Sequence, residues 1–117
     1  MTSHTTHYVR RLSPDLCVAA QLDPDAMAWA ARQGFKSVIN NRPDFEGGPE
    51  QPANAPIEAA AAAAGLAYAY LPVAPGYQSP QEVARFAALL ASMPKPILAF
   101  CRSGTRSGKL FLAATQV

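Results

Sequence analysis

Short apolar runs and longer helical patterns alternate along this chain. Strands are expected near Tyr8–Leu12 and over Leu16–Leu22, where residues suited to a pleated surface cluster. Asp23 followed by Pro24 then supplies a capping acceptor and a ring whose missing N–H costs nothing in a first turn. A helix should run from there to Gln33 and stop at Gly34. Phe35–Asn40 reads as an inner strand, since Ser37-Val38-Ile39 is short and β-branched. Ile57–Ala64 is an alanine-rich helix closed by Gly65, and Tyr68–Val73 is the next strand. Ser79-Pro80-Gln81-Glu82 has the form of a capping box with proline at the first helical position. Val83, Phe86, Ala87 and Leu90 then recur at helical spacing, which predicts a helix over 80–93. Pro94 ends it, Lys95-Pro96 turns the chain, and Ile97–Phe100 is a continuous apolar run suited to burial on both faces. The last helix covers about Thr105 to Thr115.

Strands alternating with helices predict an α/β fold with a mostly parallel central sheet flanked by helices on both faces. A chain of 117 residues, half of them hydrophobic, suits one core and one domain, here 8–117, behind a tail at 1–7 expected to be mobile. The formal net charge of +2 lends no support to nucleic-acid binding. No apolar run is long enough to span a bilayer and Met1–Tyr8 lacks a signal-type apolar core, so a cytoplasmic protein without membrane contact is expected. Cys17 and Cys101 make a poor disulfide framework and are expected as free thiols, with Cys17 in the core. His4 and His7 lack further ligands nearby, so neither a metal nor another cofactor is called for. The polar stretch from Asn41 to Ala53 is longer than most connections and is a candidate functional loop or a solvated excursion.

The chemistry concentrates in Cys101-Arg102-Ser103-Gly104-Thr105-Arg106-Ser107, placed between the most buried strand and a helix. In parallel sheets ligands sit beyond the carboxyl ends of the strands, where Cys101 falls. A thiol there meets unpaired helix N–H groups and the positive end of the helix dipole, which favour the thiolate. Arg102 and Arg106 add positive charge. Gly104 lets successive amides turn inward as an anion nest, and Ser103, Thr105 and Ser107 supply hydroxyls.

The cysteine loop resembles those of two families: the rhodanese-type sulfurtransferases, with Cys-x4-Arg, and the tyrosine and dual-specificity phosphatases, with Cys-x5-Arg. More of the chain, namely Gly34 through Val38-Ile39-Asn40-Asn41-Arg42-Pro43-Asp44, Gln51-Pro52, Tyr70-Leu71-Pro72-Val73 and the cysteine loop, is similar to the phosphatase-like domain of the beta-lactamase hydrolase-like proteins, the DUF442 family. That resemblance implies a protein tyrosine/dual-specificity phosphatase-like fold. It also implies a possible partner, since some members are fused to a metal-dependent hydrolase domain concerned with persulfide. The loop is one residue shorter than the phosphatase signature, and Phe100 stands where that signature usually has histidine. Ala74-Pro75-Gly76-Tyr77, where a general acid is expected, has no carboxylate. Asp44, or Glu46, would supply the acid if the Arg42-Pro43-Asp44 segment folds over Cys101; a surface ion pair with Arg42 is the alternative.

Three functions follow as expectations. The first is a sulfurtransferase with a Cys101 persulfide, served by a small-molecule sulfur donor and a thiol acceptor. The second is a phosphatase that forms a phosphocysteine from a phosphorylated substrate, with Arg106 and the loop amides on the equatorial oxygens. The third is a non-catalytic module that binds an anionic or phosphorylated ligand. The chain stops soon after the helix that follows the cysteine loop, where phosphatase-like domains usually continue, which leaves room for a separated fragment of a longer protein.

Overall fold

The computed structural model describes residues 7–116. Nine elements follow in order: β1 (Val9–Ser13), β2 (Leu16–Ala19), α1 (Asp25–Arg32), β3 (Ser37–Asn40), α2 (Asn54–Ala63), β4 (Ala67–Tyr70), α3 (Pro80–Ser92), β5 (Ile97–Phe100) and α4 (Thr105–Thr115). They form a mixed α/β fold whose five-stranded sheet has the order β1-β2-β5-β3-β4. The pairs β2–β5, β5–β3 and β3–β4 are parallel, and β1 closes one edge as an antiparallel strand on β2.

Successive side chains of a strand point to opposite faces, and β5 divides its apolar run accordingly. Leu98 and Phe100 enter a core with Cys17, Val38, Met27, Ala30, Ile57 and Ala61, beneath α1 and α2. Ile97 and Ala99 enter a second core with Leu16, Val18, Ile39, Phe86 and Leu110, beneath α3 and α4. The central strand is thus buried on both faces, and Cys101 follows at its carboxyl end.

Local signals account for most element ends. Asp23 Oδ1 accepts from Ala26 N at 3.0 Å to cap α1. The Ser79 hydroxyl accepts from Glu82 N at 3.1 Å while Glu82 Oε1 accepts from Ser79 N at 2.8 Å, completing the capping box of α3. α2 differs from the sequence expectation by starting at Asn54 rather than Ile57. Pro56 sits in its first turn, where no N–H is missed, and the capping acceptor comes from Asp44, ten residues upstream. β2 and β4 are shorter than expected, yet Gln21 N still donates to Arg102 O, and Leu71 N and Val73 N donate to Asn40 O and Asn41 O. Of the expected tail, 1–6, including His4, lies outside the described residues. The His7 ring packs at 4.6 Å from that of Trp29. Among the described residues no helix is long and apolar enough to cross a membrane.

Candidate active site

Cys101 follows directly on β5 and is 1% exposed. Its N–H donates to Ala19 O at 3.3 Å, which ties the start of the loop to the neighbouring strand. Gly104, at the N-cap of α4, has φ +93°, and a Cβ there would lie 3.4 Å from the carbonyl carbon and oxygen of Ala19. Only glycine combines that left-handed conformation with the tight approach to β2. The turn aims Gly104 N at Cys101 Sγ, 3.1 Å away. Burial pushes the Cys101 thiol up. Hydrogen bonds from the Ser107 N–H and hydroxyl, and from the Ser103 and Gly104 N–H groups, outweigh it and hold the thiol below its ordinary value of 9.0. Ser103 and Thr105 turn their hydroxyls toward each other at 3.2 Å on the loop's exposed side.

Arg106 reaches back from α4 to the loop that follows β3. Its Nη1 donates to Val73 O at 2.9 Å and, at 3.5 Å, to Asn41 O; Nη2 donates to Glu46 Oε1 at 3.0 Å. The same Glu46 oxygen accepts from Arg42 Nε at 2.9 Å, and Arg42 Nη1 donates to Gln21 Oε1 at 3.1 Å. Glu46 Oε2 is buried without a partner among the described residues. Burial raises the Glu46 carboxyl, but hydrogen bonds and charge from Arg106 and Arg42 win and hold it below its ordinary value of 4.5. Glu46 is therefore ionised at neutral pH and serves as an anchor for two guanidinium groups. Gly47 makes room for Arg42, because a Cβ there would meet Arg42 Nη2 at 2.6 Å.

The rest of the β3–α2 loop is fastened on its other side. Asp44 Oδ1 accepts from Asn54 N at 2.8 Å, and Asp44 N donates to the Tyr70 hydroxyl at 2.9 Å. Asn54 Oδ1 accepts from Tyr68 Oη at 2.6 Å and from Asn40 Nδ2 at 3.1 Å, which locks the start of α2 to the ends of β3 and β4. The structure thus places Asp44 at a helix cap, whereas Glu46, two residues on, reaches Arg106. Between them Phe45 adopts φ +65° and is 74% exposed.

A cavity of about 380 Å³ opens at the sulfur. Ala74 to Gln78 form one wall, and Cys101, Arg102, Ser103, Thr105, Arg106 and Lys109 the other; among the described residues no carboxylate lines it. Of the residues singled out from the sequence, Cys101, Arg102, Ser103, Thr105 and Arg106 line the cavity, Gly104 N donates to the sulfur, and Ser107 is buried in the first turn of α4. Arg42 lies behind Arg106, joined to it through Glu46. Cys17 is a buried free thiol on β2. Sequence reasoning passed over Asn41, Gln21 and Lys109. Asn41 falls in the Asn40-Asn41-Arg42-Pro43-Asp44 run but nothing there points it at the cysteine loop, Gln21 follows a strand end without any local motif, and Lys109 is marked only by falling one helical turn after Arg106.

A mostly parallel sheet that delivers a cysteine, its thiol held below the ordinary value, and a following arginine into an amide-lined turn before a helix defines a phosphatase-like cysteine-loop domain. The sequence matches the family described as beta-lactamase hydrolase-like protein, phosphatase-like domain, over residues 8–116, and the chain belongs to that family. A beta-lactamase hydrolase-like protein of Xylella fastidiosa is 38% identical over 96 residues, which cover 82% of this chain and 22% of the relative. This chain therefore spans about a fifth of the length of that curated relative. A crystal structure of a candidate phosphatase from Neisseria meningitidis superposes with a TM-score of 0.79 at 32% identity, covering 86% of this chain and 71% of that one. TpbA of P. aeruginosa, in a Cys-to-Ser variant complexed with phosphotyrosine, has a TM-score of 0.64 at 21% identity, covering 87% of this chain and 58% of that one, and shares the fold.

Proposed function

We propose that this domain is a cysteine sulfurtransferase on a phosphatase-like scaffold, acting through a persulfide on Cys101. The observation that carries the reading is that, among the described residues, no carboxylate lines the cavity at Cys101, while Glu46 is held ionised by Arg42 and Arg106. Phosphate-ester cleavage needs a proton for the leaving oxygen, whereas sulfur transfer does not. The Cys101 thiolate attacks the outer sulfur of thiosulfate or of a persulfide. A new S–S bond forms, the donor's S–S bond breaks, and sulfite or a thiolate leaves with the electron pair. An acceptor thiolate then takes the outer sulfur and Cys101 departs as thiolate. Arg106 and the loop amides would neutralise the anionic donor, and Arg102 and Lys109 would draw it into the cavity. A cytoplasmic setting would supply low-molecular-mass thiols as acceptors, and a metal-dependent persulfide-handling hydrolase would suit the chain as a partner.

A second reading, phosphatase through a phosphocysteine, is favoured by the likeness to the Neisseria and P. aeruginosa structures and by the anion-binding form of the loop. The deciding experiment assays wild type and Cys101→Ser with thiosulfate or glutathione persulfide plus a thiol acceptor, and in parallel with an aryl phosphate. Cysteine-dependent sulfur transfer without phosphate release is the expected result. Phosphate release alone would replace this reading with the phosphatase, and silence in both arms would leave a binding module.

A further inference from the structure

Asn41 is 0% exposed and lies directly after β3. Its Nδ2 donates to Leu71 O at 3.0 Å. A backbone carbonyl only accepts, so this bond fixes which end of the amide faces β4 and turns Oδ1 toward α4. There Oδ1 lies 2.8 Å from Ser107 Oγ. An amide oxygen carries no proton, so the Ser107 hydroxyl must be the donor. A hydroxyl has one proton; it points to Asn41 here, and the same hydroxyl is close enough to Cys101 to help hold the thiol down when it turns toward the sulfur. One proton therefore faces two acceptors, Asn41 Oδ1 and Cys101 Sγ.

We propose that Asn41 is a positioning residue that parks the Ser107 proton away from Cys101 while the sulfur is neutral and releases it when the sulfur becomes anionic. A thiolate is the stronger acceptor and draws the hydroxyl round; once the sulfur is bonded to a transferred group, the proton returns to Asn41. Asn41 thereby opposes ionisation, because thiolate formation must break the Asn41–Ser107 bond. The other charged or titratable groups facing the sulfur are Arg102, Arg106 and Lys109 of its own loop and α4 and Tyr77 across the cavity, with Glu46 and Arg42 behind Arg106. Arg106 touches Asn41 only at the backbone carbonyl, so side-chain substitution leaves that contact in place. The inference rests on Cys101 acting as a thiolate, the step that sulfur transfer and phosphate release share.

The test measures alkylation of Cys101 by iodoacetamide against pH, with the modified peptide resolved from that of Cys17. Asn41→Leu is expected to lower the midpoint by about half a pH unit, a roughly threefold gain in thiolate well below it. Ser107→Ala is expected to raise the midpoint, and adding Asn41→Leu to Ser107→Ala to change nothing further. A rise in Asn41→Leu, or a shift that persists without the Ser107 hydroxyl, overturns the proposal, since a merely structural role predicts both. Should Asn41→Leu fail to fold, the wild-type Asn41 side-chain amide resonance decides. It is expected to titrate with the Cys101 midpoint and to lose that response in Ser107→Ala; an amide signal indifferent to Cys101 overturns the proposal. Alkylation reads the thiol alone, so absence of sulfur transfer leaves this outcome separately legible.

Discussion

Arg106 Nη2 and Glu46 Oε1 lie 3.0 Å apart, and the same oxygen holds Arg42 Nε at 2.9 Å. One carboxylate therefore sets the position of the arginine that faces the cysteine loop. Both arginine side chains are about as buried as Glu46, at 11%, 12% and 15% exposure, so removing the carboxylate charge leaves two poorly solvated cations unpaired. Glu46→Gln should destabilise the domain by about 1–3 kcal/mol and lower Cys101-dependent turnover by about tenfold or more, mainly through weaker binding of anionic donor. The pH dependence has a definite sign. The carboxyl is held below 4.5 in the folded domain, so its stabilisation is present above about pH 4.5 and disappears as pH falls through the lowered folded value. Urea unfolding of wild type between pH 6 and pH 3, at about unit steps, should show that slope, and Glu46→Gln should show less of it.

Asp44 offers a contrast two residues away. Its carboxylate accepts from Asn54 N at the start of α2, so its expected role is to cap a helix. Asp44→Asn should leave an acceptor in place and cost little, whereas Asp44→Ala should cost about 1 kcal/mol in thermal or urea unfolding. Both variants should retain Cys101-dependent turnover within about threefold, which is about 0.6 kcal/mol of transition-state binding. A loss of several orders of magnitude in both would instead give Asp44 a part in the chemistry.

These two acids show where the sequence was legible and where it was not. The strand at Ile97–Phe100, the helix from Pro80 and the cysteine loop between β5 and α4 were all readable, because each is specified by neighbours within a turn or two: an apolar run, a capping box, and a glycine three residues after a cysteine. The Arg42–Glu46 segment could be named as a source of an acid but not divided into roles. Asp44 and Glu46 have similar local context, and only the reversal at Phe45 sends one toward α2 and the other toward Arg106. The start of α2 was misplaced for the same reason, since its cap arrives from ten residues upstream. Asn41 could be read as part of the Asn40-Asn41-Arg42-Pro43-Asp44 run but not given a contact; its place comes from α4 and β4 meeting at the end of β3, a relation across 66 residues of sequence in the case of Ser107.

Phe45 makes that reversal at an energetic cost. A side chain with a Cβ is strained at φ +65°, and at 74% exposure the ring recovers little by burial. Asparagine tolerates the left-handed region and, unlike glycine, adds little freedom to the unfolded chain. Phe45→Asn should therefore stabilise the domain by about 0.5–1 kcal/mol, seen as a rise of a few degrees in Tm. A fall in Tm would mean that the ring contributes packing not accounted for by its exposure.

Gly104 is the position where backbone conformation and sulfur chemistry meet. Its φ of +93° and the 3.4 Å approach to the Ala19 carbonyl leave a methyl group strained in conformation and crowded in space. In Gly104→Ala the simplest relief is rotation of the 103–104 and 104–105 peptides, which takes Gly104 N away from Cys101 Sγ and misaligns the first turn of α4. The thiol then loses one of the hydrogen bonds that offset its burial, so its alkylation midpoint should move up. Stability should fall by about 1–3 kcal/mol at the same time. Measuring both quantities on one preparation separates the causes: a stability loss with an unchanged midpoint would mean that strain is absorbed elsewhere and that the Gly104 amide contributes little to the thiolate.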